Sequence, residues 1–238
     1  MKGLKSILDI VYPRTCPICG KTLSEDILIC DVCNGRLVYA NKNTCIHCGK
    51  ILKDRASTIC KFCETSETYF EEGRSVFYYN DAIKNALMDF KYHNRRENAK
   101  FFAESIMQSY ADRISLWNID LIVPIPVHKK KLIERGYNQA AVLASELCKL
   151  SKWDWTEALI RVEKTKPQKE LTRLDRLNNL EKAIMVDDKK LNLIKDKNIL
   201  IIDDIYTTGA TVSSSSKVLL ESGASKVFFI TVATGMGN

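Results

Sequence analysis

The chain has 238 residues, of which 45% are apolar and 27% are charged, and this composition is ordinary for a folded globular protein. A wholly disordered chain is excluded, and the length fits one large domain or a medium domain with a small module. Uncharged stretches such as 205–216 are shorter than the about 20 residues of a membrane-spanning helix, and the N-terminus has no signal-peptide cleavage pattern. We therefore expect a cytoplasmic protein without membrane insertion.

Four C-x-x-C pairs lie within the first 63 residues. Their cysteines are Cys16, Cys19, Cys30, Cys33, Cys45, Cys48, Cys60 and Cys63. Each pair can direct two thiolates at one metal ion, and a tetrahedral zinc ion needs two such pairs, so the spacing predicts two structural zinc sites. A disulfide framework is one alternative, but no export signal supports it. An iron–sulfur cluster is the other alternative.

The spacing leaves the pairing of the four knuckles open. Sequential pairing closes shorter loops than crossed pairing, but doubling the length of a loop costs only about 0.6 kcal/mol. Structural zinc contributes roughly 10–16 kcal/mol in small fingers, while a whole domain is stable by about 5–15 kcal/mol, so we expect the module to unfold without metal. Eight zinc-bound thiolates would also reduce the formal net charge from +7 to about +3, which weakens any argument for nucleic-acid binding from overall charge.

The composition changes near residue 64, and we assign residues 1–66 to the cysteine module and residues 67–238 to a second domain. Beyond this boundary, segments with strand and helix patterns alternate. The predicted strands are 75–79, 119–125, 158–162, 199–202 and 226–233, and the predicted helices are 81–92, 101–110, 138–150 and 210–222. This alternation predicts an α/β domain with a mostly parallel sheet.

The segment 199–211 carries the most specific chemistry. A buried aliphatic strand runs into Asp203 and Asp204, and a helix follows a short loop. That loop contains Thr207, Thr208, Gly209, Ala210 and Thr211. Ligands of parallel sheets bind beyond the carboxyl ends of strands, and N–H groups at a helix N-terminus suit a phosphate. A capped βα turn is the simpler alternative, but it leaves the two carboxylates unexplained.

This order of residues resembles the phosphoribosyl-diphosphate fingerprint of type I phosphoribosyltransferases. The resemblance implies that Asp203 and Asp204 hold the ribose hydroxyls, that residues 207–211 hold the 5-phosphate, and that Mg²⁺ accompanies the diphosphate. The loop with Pro124 and Pro126 follows a predicted strand, where that family binds diphosphate. The predicted catalytic residues are Asp203, Asp204 and Arg135. Arg135 is included because a cation there would stabilise the leaving diphosphate. Lys166 is a further candidate for this role.

Further motifs extend along nearly the whole chain. They are the four C-x-x-C pairs, Phe90-Lys91 at a helix end, the proline loop, R-G-Y-N-Q at 135–139, and the spaced residues Gln168, Leu171, Arg176 and Asn179. In this order they resemble the ComF family of DNA-uptake proteins. Two departures stand out: the approach to Gln168 contains lysines where arginines are common, and Ile184 replaces a usual Phe. Because of these departures, the sequence does not assign the residues that would bind the acceptor substrate. Tyr206 is either an acceptor-binding group or a packing residue.

The ComF resemblance also implies a role with single-stranded DNA and DNA-uptake proteins as partners. A basic run with an aromatic residue supports this, because Lys91, Arg95 and Arg96 can follow phosphates while Tyr92 stacks on a base. A solvated loop after a helix is the alternative. Three functions remain open: a competence-associated protein that binds the sugar diphosphate and single strands, an active phosphoribosyltransferase with a nitrogenous acceptor, and a catalytically silent sensor of the sugar diphosphate.

Overall fold

A five-stranded parallel sheet organises the larger part of the chain. The computed structural model describes residues 14–24, 27–162 and 184–236. The strands are β1 (Glu72–Tyr78), β2 (Leu121–Pro124), β3 (Asp154–Trp155), β4 (Leu159–Arg161), β5 (Ile184–Val186), β6 (Asn198–Tyr206) and β7 (Lys226–Thr234). The sheet has the order β1-β7-β6-β2-β3, and every pairing in it is parallel. The predicted parallel α/β domain is therefore confirmed, although β4 lies outside this sheet and pairs antiparallel with β5.

Two short helices belong to the cysteine module, and the longer ones flank the sheet. They are α1 (Asp31–Asn34), α2 (Lys61–Thr65), α3 (Asp81–Tyr92), α4 (Asn98–Leu116), α5 (Lys129–Arg135), α6 (Gln139–Leu150), α7 (Leu191–Ile194) and α8 (Ala210–Glu221). Asn80 and Asn138 start α3 and α6, because their side chains accept hydrogen bonds from the first-turn N–H groups of Ile83 and Ala140. Within the described segments, no helix combines the length and apolar character needed to cross a bilayer.

The aliphatic run in β6 separates two hydrophobic cores. Leu200 and Ile202 face one core, which the apolar sides of α3, α4 and α6 complete. Ile199 and Ile201 face the other core, which contains residues of α8, of the β4–β5 pair and of the cysteine module. All four side chains are fully buried, as the uninterrupted aliphatic pattern predicts for a strand covered on both faces.

The cysteine module covers the exposed edge of the sheet. The N–H of Ala40 donates to the carbonyl of Val76 at 2.8 Å, and the N–H of Tyr78 donates to the carbonyl of Val38 at 2.7 Å. These bonds pair the module with β1, which would otherwise present unpaired backbone groups to solvent. The module is thereby attached to the same sheet that carries the two carboxylates.

The strand order creates a crevice between β2 and β6. From β2 the chain continues outward to β3, whereas from β6 it continues to β7 on the opposite side. Adjacent parallel strands whose connections leave in opposite directions form a topological switch point, where the following loops separate and ligands bind. The loop 125–128 and the loop 207–209 are the two that border this crevice.

Candidate functional site

Asp203 and Asp204 lie within the last part of β6, which extends to Tyr206 and places both residues at the crevice. Asp204 is 7% exposed. Its Oδ1 accepts a hydrogen bond from Lys91 Nζ at 2.8 Å, and its Oδ2 accepts one from Gln139 Nε2 at 2.7 Å. Both carboxylate oxygens are therefore held by groups from the ends of α3 and α6, which fixes the orientation of the carboxylate.

The Asp203 carboxyl group is electrostatically different from its neighbour. Its Oδ1 accepts a hydrogen bond from the Asp204 N–H at 2.8 Å. Burial, followed by the negative charge of Asp204, raises the pKa of Asp203 to about 7. Lys91 and Arg161 lower the pKa in part but do not restore its ordinary value. The pair therefore carries between one and two negative charges near neutral pH.

Arg135 is anchored beside this pair. Its Nη1 donates to Gln139 Oε1 at 2.8 Å, and Gln139 in turn donates to Asp204. Its Nη2 donates to the Tyr92 hydroxyl at 2.8 Å, and the guanidinium lies 4.6 Å from the centre of the Tyr92 ring. Gly136 ends α5 in the left-handed conformation with φ of 74°, which turns the chain towards α6. Arg135 thus belongs to one polar network that links the end of α3, the start of α6 and Asp204.

The loop 207–211 presents the N-terminus of α8 to the crevice. Thr207 and Thr208 are exposed, and the Ala210 N–H at the start of α8 donates a long hydrogen bond of 3.4 Å to Thr208 Oγ1. Gly209 adopts φ of 84°, and a Cβ atom there would lie 2.6 Å from the Tyr206 hydroxyl and 2.7 Å from the Phe62 ring. Only glycine fits this conformation and this space. The loop can offer backbone N–H groups and threonine hydroxyls to an anion.

The proline loop forms the opposite side of the crevice. Pro124 is the buried last residue of β2, and the N–H of Ile125 donates to the carbonyl of Ile202 at 2.9 Å. Arg161 Nε donates to the carbonyl of Pro126 at 3.0 Å and so connects this loop to β4. The predicted diphosphate loop and the predicted phosphate loop therefore follow adjacent strands.

The three basic residues that we grouped as a nucleic-acid surface are separated in the structure. The Lys91 side chain is only 14% exposed and is paired with Asp204 in the crevice. Arg95 Nη1 donates to Thr15 Oγ1 at 2.9 Å, and the Arg96 guanidinium lies 4.3 Å from the centre of the Tyr137 ring. Lys91 thus belongs to the carboxylate site, while Arg95 and Arg96 remain on the outer surface.

A cleft of about 620 Å³ lies between the first cysteine knuckle and α4. Arg14, Arg95 and Lys100 line it together with apolar residues such as Pro17 and Phe101, and Glu97 and Glu146 also lie on its wall. A basic run in the sequence does not reveal this cleft, because its cations come from two separate segments of the chain. Only Arg95 belonged to the run that local composition singled out.

The eight cysteines form two compact groups. The groups are Cys16, Cys19, Cys30 and Cys33, and Cys45, Cys48, Cys60 and Cys63, with all Sγ atoms of a group within 4.8 Å of one another. The Sγ atoms of Cys48 and Cys60 are 3.6 Å apart, and those of Cys19 and Cys30 are 3.8 Å apart. Tetrahedral zinc with bonds of about 2.3 Å separates its sulfur ligands by about 3.8 Å, so both groups fit structural zinc. Their pairing is sequential.

Tyr206 is a packing residue. It is 2% exposed, and its ring stacks on Phe229 with the ring centres 4.8 Å apart. Burial and the neighbouring thiols of the second cysteine group raise the pKa of its hydroxyl. Phe62 and Lys50 also contact the loop 207–211 from the cysteine module, and no local sequence pattern indicated them. The predicted acceptor-side residues, namely Lys166, Gln168, Leu171, Arg176 and Asn179, lie outside the described residues.

Comparison with known proteins extends the resemblance across both parts of the chain. A family model for the phosphoribosyl transferase domain matches residues 100–237, and one for the double zinc ribbon domain matches residues 7–64. Competence protein ComFC of Bacillus subtilis (strain 168) is 29% identical over 231 residues, which cover 90% of this chain and 91% of that protein.

Two other relatives also match more than three quarters of this chain. DNA utilization protein YhgH of Escherichia coli (strain K12) is 26% identical over 223 residues, covering 92% of this chain and 96% of that protein. Competence protein F of Haemophilus influenzae (strain ATCC 51907 / DSM 11121 / KW20 / Rd) is 27% identical over 190 residues, covering 77% of this chain and 81% of that protein. These matches confirm the resemblance that the motifs indicated.

Replacing Lys91 should destabilise the protein through Asp204. We expect Lys91→Met to lower the free energy of unfolding by about 3–5 kcal/mol, because it leaves a buried carboxylate without its cation. The double variant Lys91→Met with Asp204→Asn should recover part of this loss. Lys100→Met is the control, since it breaks an exposed pair with Glu104 and should change stability by less than about 1 kcal/mol. Urea denaturation measures all three, and equal stability of the two single lysine variants would contradict the pairing.

Proposed function

Because this chain belongs to the ComF family of phosphoribosyl transferase domain proteins, we propose that it binds phosphoribosyl diphosphate with Mg²⁺ and acts in the uptake or use of DNA. The observation that carries the proposal is the crevice between β2 and β6. It joins two adjacent carboxylates at a strand end with an exposed Thr/Gly loop at the start of a helix. A ligand with vicinal hydroxyls and a phosphate matches both halves of this arrangement.

Each part of the ligand has a proposed position. The ribose 2- and 3-hydroxyls donate to Asp203 and Asp204, and the 5-phosphate accepts from N–H groups and hydroxyls of the loop 207–211. The diphosphate lies towards Pro124 and Pro126. Mg²⁺ is bound mainly through diphosphate oxygens and water, with the carboxylates nearby, as is usual for this ion. When bound, Mg²⁺ neutralises charge on the leaving diphosphate.

Lys91, Gln139 and Arg135 serve as supports for this site. Lys91 pairs with one carboxylate oxygen of Asp204, and Gln139 fixes the second carboxylate oxygen. Arg135 holds Gln139 in place and brings positive charge towards the crevice. We therefore assign Lys91 to sugar binding instead of nucleic-acid binding, and we assign Arg135 an indirect role through Gln139.

A transfer reaction would displace the diphosphate from C1 of the ribose by an acceptor nitrogen. Negative charge then grows on the diphosphate, and nearby N–H groups and cations stabilise it. The active enzyme and the silent sensor differ only in this step. Diphosphate release in the presence of single-stranded DNA or free nucleobases distinguishes them, while binding of the sugar diphosphate is common to both.

The DNA role rests on the relatives named for competence and DNA utilization, together with the outer basic surface. Arg95 and Arg96 lie on that surface, and Arg14 and Lys100 extend it into the cleft of about 620 Å³. Guanidinium and ammonium groups attract phosphates, and the apolar lining suits a base. We propose that single-stranded DNA binds here, away from the sugar-diphosphate crevice.

The double variant Asp203→Asn with Asp204→Asn tests the sugar site. We expect it to remove calorimetrically detectable binding of phosphoribosyl diphosphate with Mg²⁺, because both hydroxyl acceptors lose their charge. Asp112→Asn with Asp188→Asn makes the same change at exposed positions and should leave the affinity unchanged. Circular dichroism verifies that both variants are folded. Unchanged affinity in the Asp203/Asp204 variant would overturn the site assignment.

Binding should depend on pH through Asp203. The unliganded carboxyl has a pKa of about 7. Between about pH 4 and 7 the folded protein therefore holds a proton that the unfolded chain has released. The contribution of Asp203 to the free energy of unfolding falls as pH rises through this range. A ribose hydroxyl favours the ionised form, so affinity should rise from pH 6 to 8.

Calorimetry in buffers of different ionisation enthalpy should detect the release of roughly half a proton at pH 7. In the variant Asp203→Asn only protons from the ligand can be released. Binding to this variant should therefore release fewer protons than binding to the unmodified protein. Equal proton release by this variant and the unmodified protein would show that Asp203 does not titrate on binding.

Single-strand binding should depend on salt and on the two surface arginines. We expect Arg95→Ala with Arg96→Ala to weaken binding of an oligothymidylate and to reduce the slope of log affinity against log salt by about 1.4, because two phosphate contacts are lost. Lys152→Ala with Lys226→Ala removes two exposed cations elsewhere and should have a smaller effect. Fluorescence anisotropy at several salt concentrations measures both slopes. If the arginine variant retained the original slope, DNA would have to bind at another surface.

A further inference from the structure

Tyr206 lies between the second cysteine group and the proposed phosphate loop. It is the last residue of β6, directly before Thr207, and it is almost fully buried. Its hydroxyl is buried without a hydrogen-bond partner among the described residues. Cys48 and Cys60 pack with Tyr206 in one buried cluster, and Cys48, Cys63 and Cys60 are the thiols that act electrostatically on its hydroxyl. A buried hydroxyl without a partner is costly, so its position beside the cysteines requires an explanation.

A zinc-bound thiolate would supply the missing partner. Thiolate sulfur carries negative charge and accepts hydrogen bonds, and donors in the outer shell of a metal site orient its ligands. The second cysteine group fits tetrahedral zinc in its sulfur separations, and Cys45 and Cys48 are fully buried. The Tyr206 hydroxyl is thus positioned to donate to a sulfur ligand of this ion.

Phe62 makes a second connection between the same cysteine group and the loop. It lies in α2, between Cys60 and Cys63, and its ring carbons occupy the space at 2.7 and 3.0 Å from where a Cβ of residue 209 would be. The ring therefore packs directly on the Gly209 backbone. Any movement of α2 changes the surface against which the loop rests.

Lys50 makes a third connection. It follows Cys48 by two residues, and its Nζ donates to the carbonyl of Thr207 at 2.8 Å. Cys45, Cys48 and Cys60 also share one hydrophobic core with Tyr206 and Val212, the latter in the first turn of α8. The loop therefore rests on the second knuckle pair through a hydroxyl, a ring and an ammonium group.

The first cysteine group is attached elsewhere. Cys19 in this group is exposed, and the neighbouring Thr15 contacts Arg95, which precedes α4. Among the contacts that the structure describes, none joins this group to residues 207–211. Both groups consist of two C-x-x-C pairs, and the inner cysteines are 11 positions apart in the first group and 12 in the second. The first group is therefore a close control for the second.

We infer that zinc bound by Cys45, Cys48, Cys60 and Cys63 holds the loop 207–211 in its phosphate-binding conformation, with Tyr206 and Phe62 as positioning residues. This inference rests on the proposed function, since it assumes that the loop binds the 5-phosphate. It gives the second zinc site a role in ligand affinity that the first site does not share.

Zinc release and ligand affinity, measured on the same full-length protein, test the inference. A chromogenic chelator follows zinc release, and the variants Cys19→Ser and Cys63→Ser assign its two phases to the two sites. We expect Tyr206→Phe to weaken zinc binding at the second site by about 10–100-fold and to leave the first site unchanged. Tyr110→Phe is the control, because it removes a buried hydroxyl that donates to Ser75 on the other face of the sheet.

Affinity for phosphoribosyl diphosphate with Mg²⁺ should depend only on the zinc ion of the second cysteine group. Release of the second zinc ion, or the change Phe62→Ala, should reduce this affinity, whereas release of the first zinc ion should not. Unchanged zinc release in Tyr206→Phe would overturn the role of the hydroxyl. Full affinity after loss of the second zinc ion would overturn the support of the loop. If the unmodified protein did not bind the sugar diphosphate, the proposed function would fail, while the zinc measurement would still decide the contact with Tyr206.

Discussion

The buried carboxylate of Asp204 is the constraint around which this fold is arranged. A charge at this depth would be strongly destabilising without partners. Lys91 at the end of α3 and Gln139 at the start of α6 supply those partners from two sides. Since both helices pack on one face of the sheet, their ends are fixed relative to β6. The same requirement therefore aligns the core helices and concentrates polar groups at the crevice between β2 and β6.

The other face of the sheet supports the loop that follows these carboxylates. There the second cysteine group joins the hydrophobic core, and its side chains reach residues 206–209. The module that is separate in the sequence thus packs beneath the proposed phosphate loop. This arrangement explains why Gly209 has no space for a side chain, and it places a metal-dependent fold in contact with the proposed phosphate loop.

Local patterns in the sequence were sufficient for β1, β2, β6 and β7, for the four longest helices, for the two carboxylates and for the cysteine spacing, because each is a short-range signal. The short elements β3, β5, α5 and α7 carry too weak a pattern and were not predicted, and β4 lies outside the main sheet. Lys91 was grouped with Arg95 in the sequence, but the structure places the two residues in different environments. The spacing of four residues between Lys91 and the buried Leu87 indicates the inner face of α3, whereas Arg95 follows the end of that helix. The pairing of the knuckles and the contacts of Phe62 and Lys50 depend on how distant segments meet, and no local pattern contains that information.

The central claim is that the crevice between β2 and β6 binds phosphoribosyl diphosphate. A crystal structure of the zinc-loaded protein with this ligand and Mg²⁺ tests it most directly. The account predicts the 5-phosphate against residues 207–211, with the ribose hydroxyls on Asp203 and Asp204. Ligand density confined to the cleft lined by Arg14, Arg95 and Lys100, with an empty crevice, would contradict it.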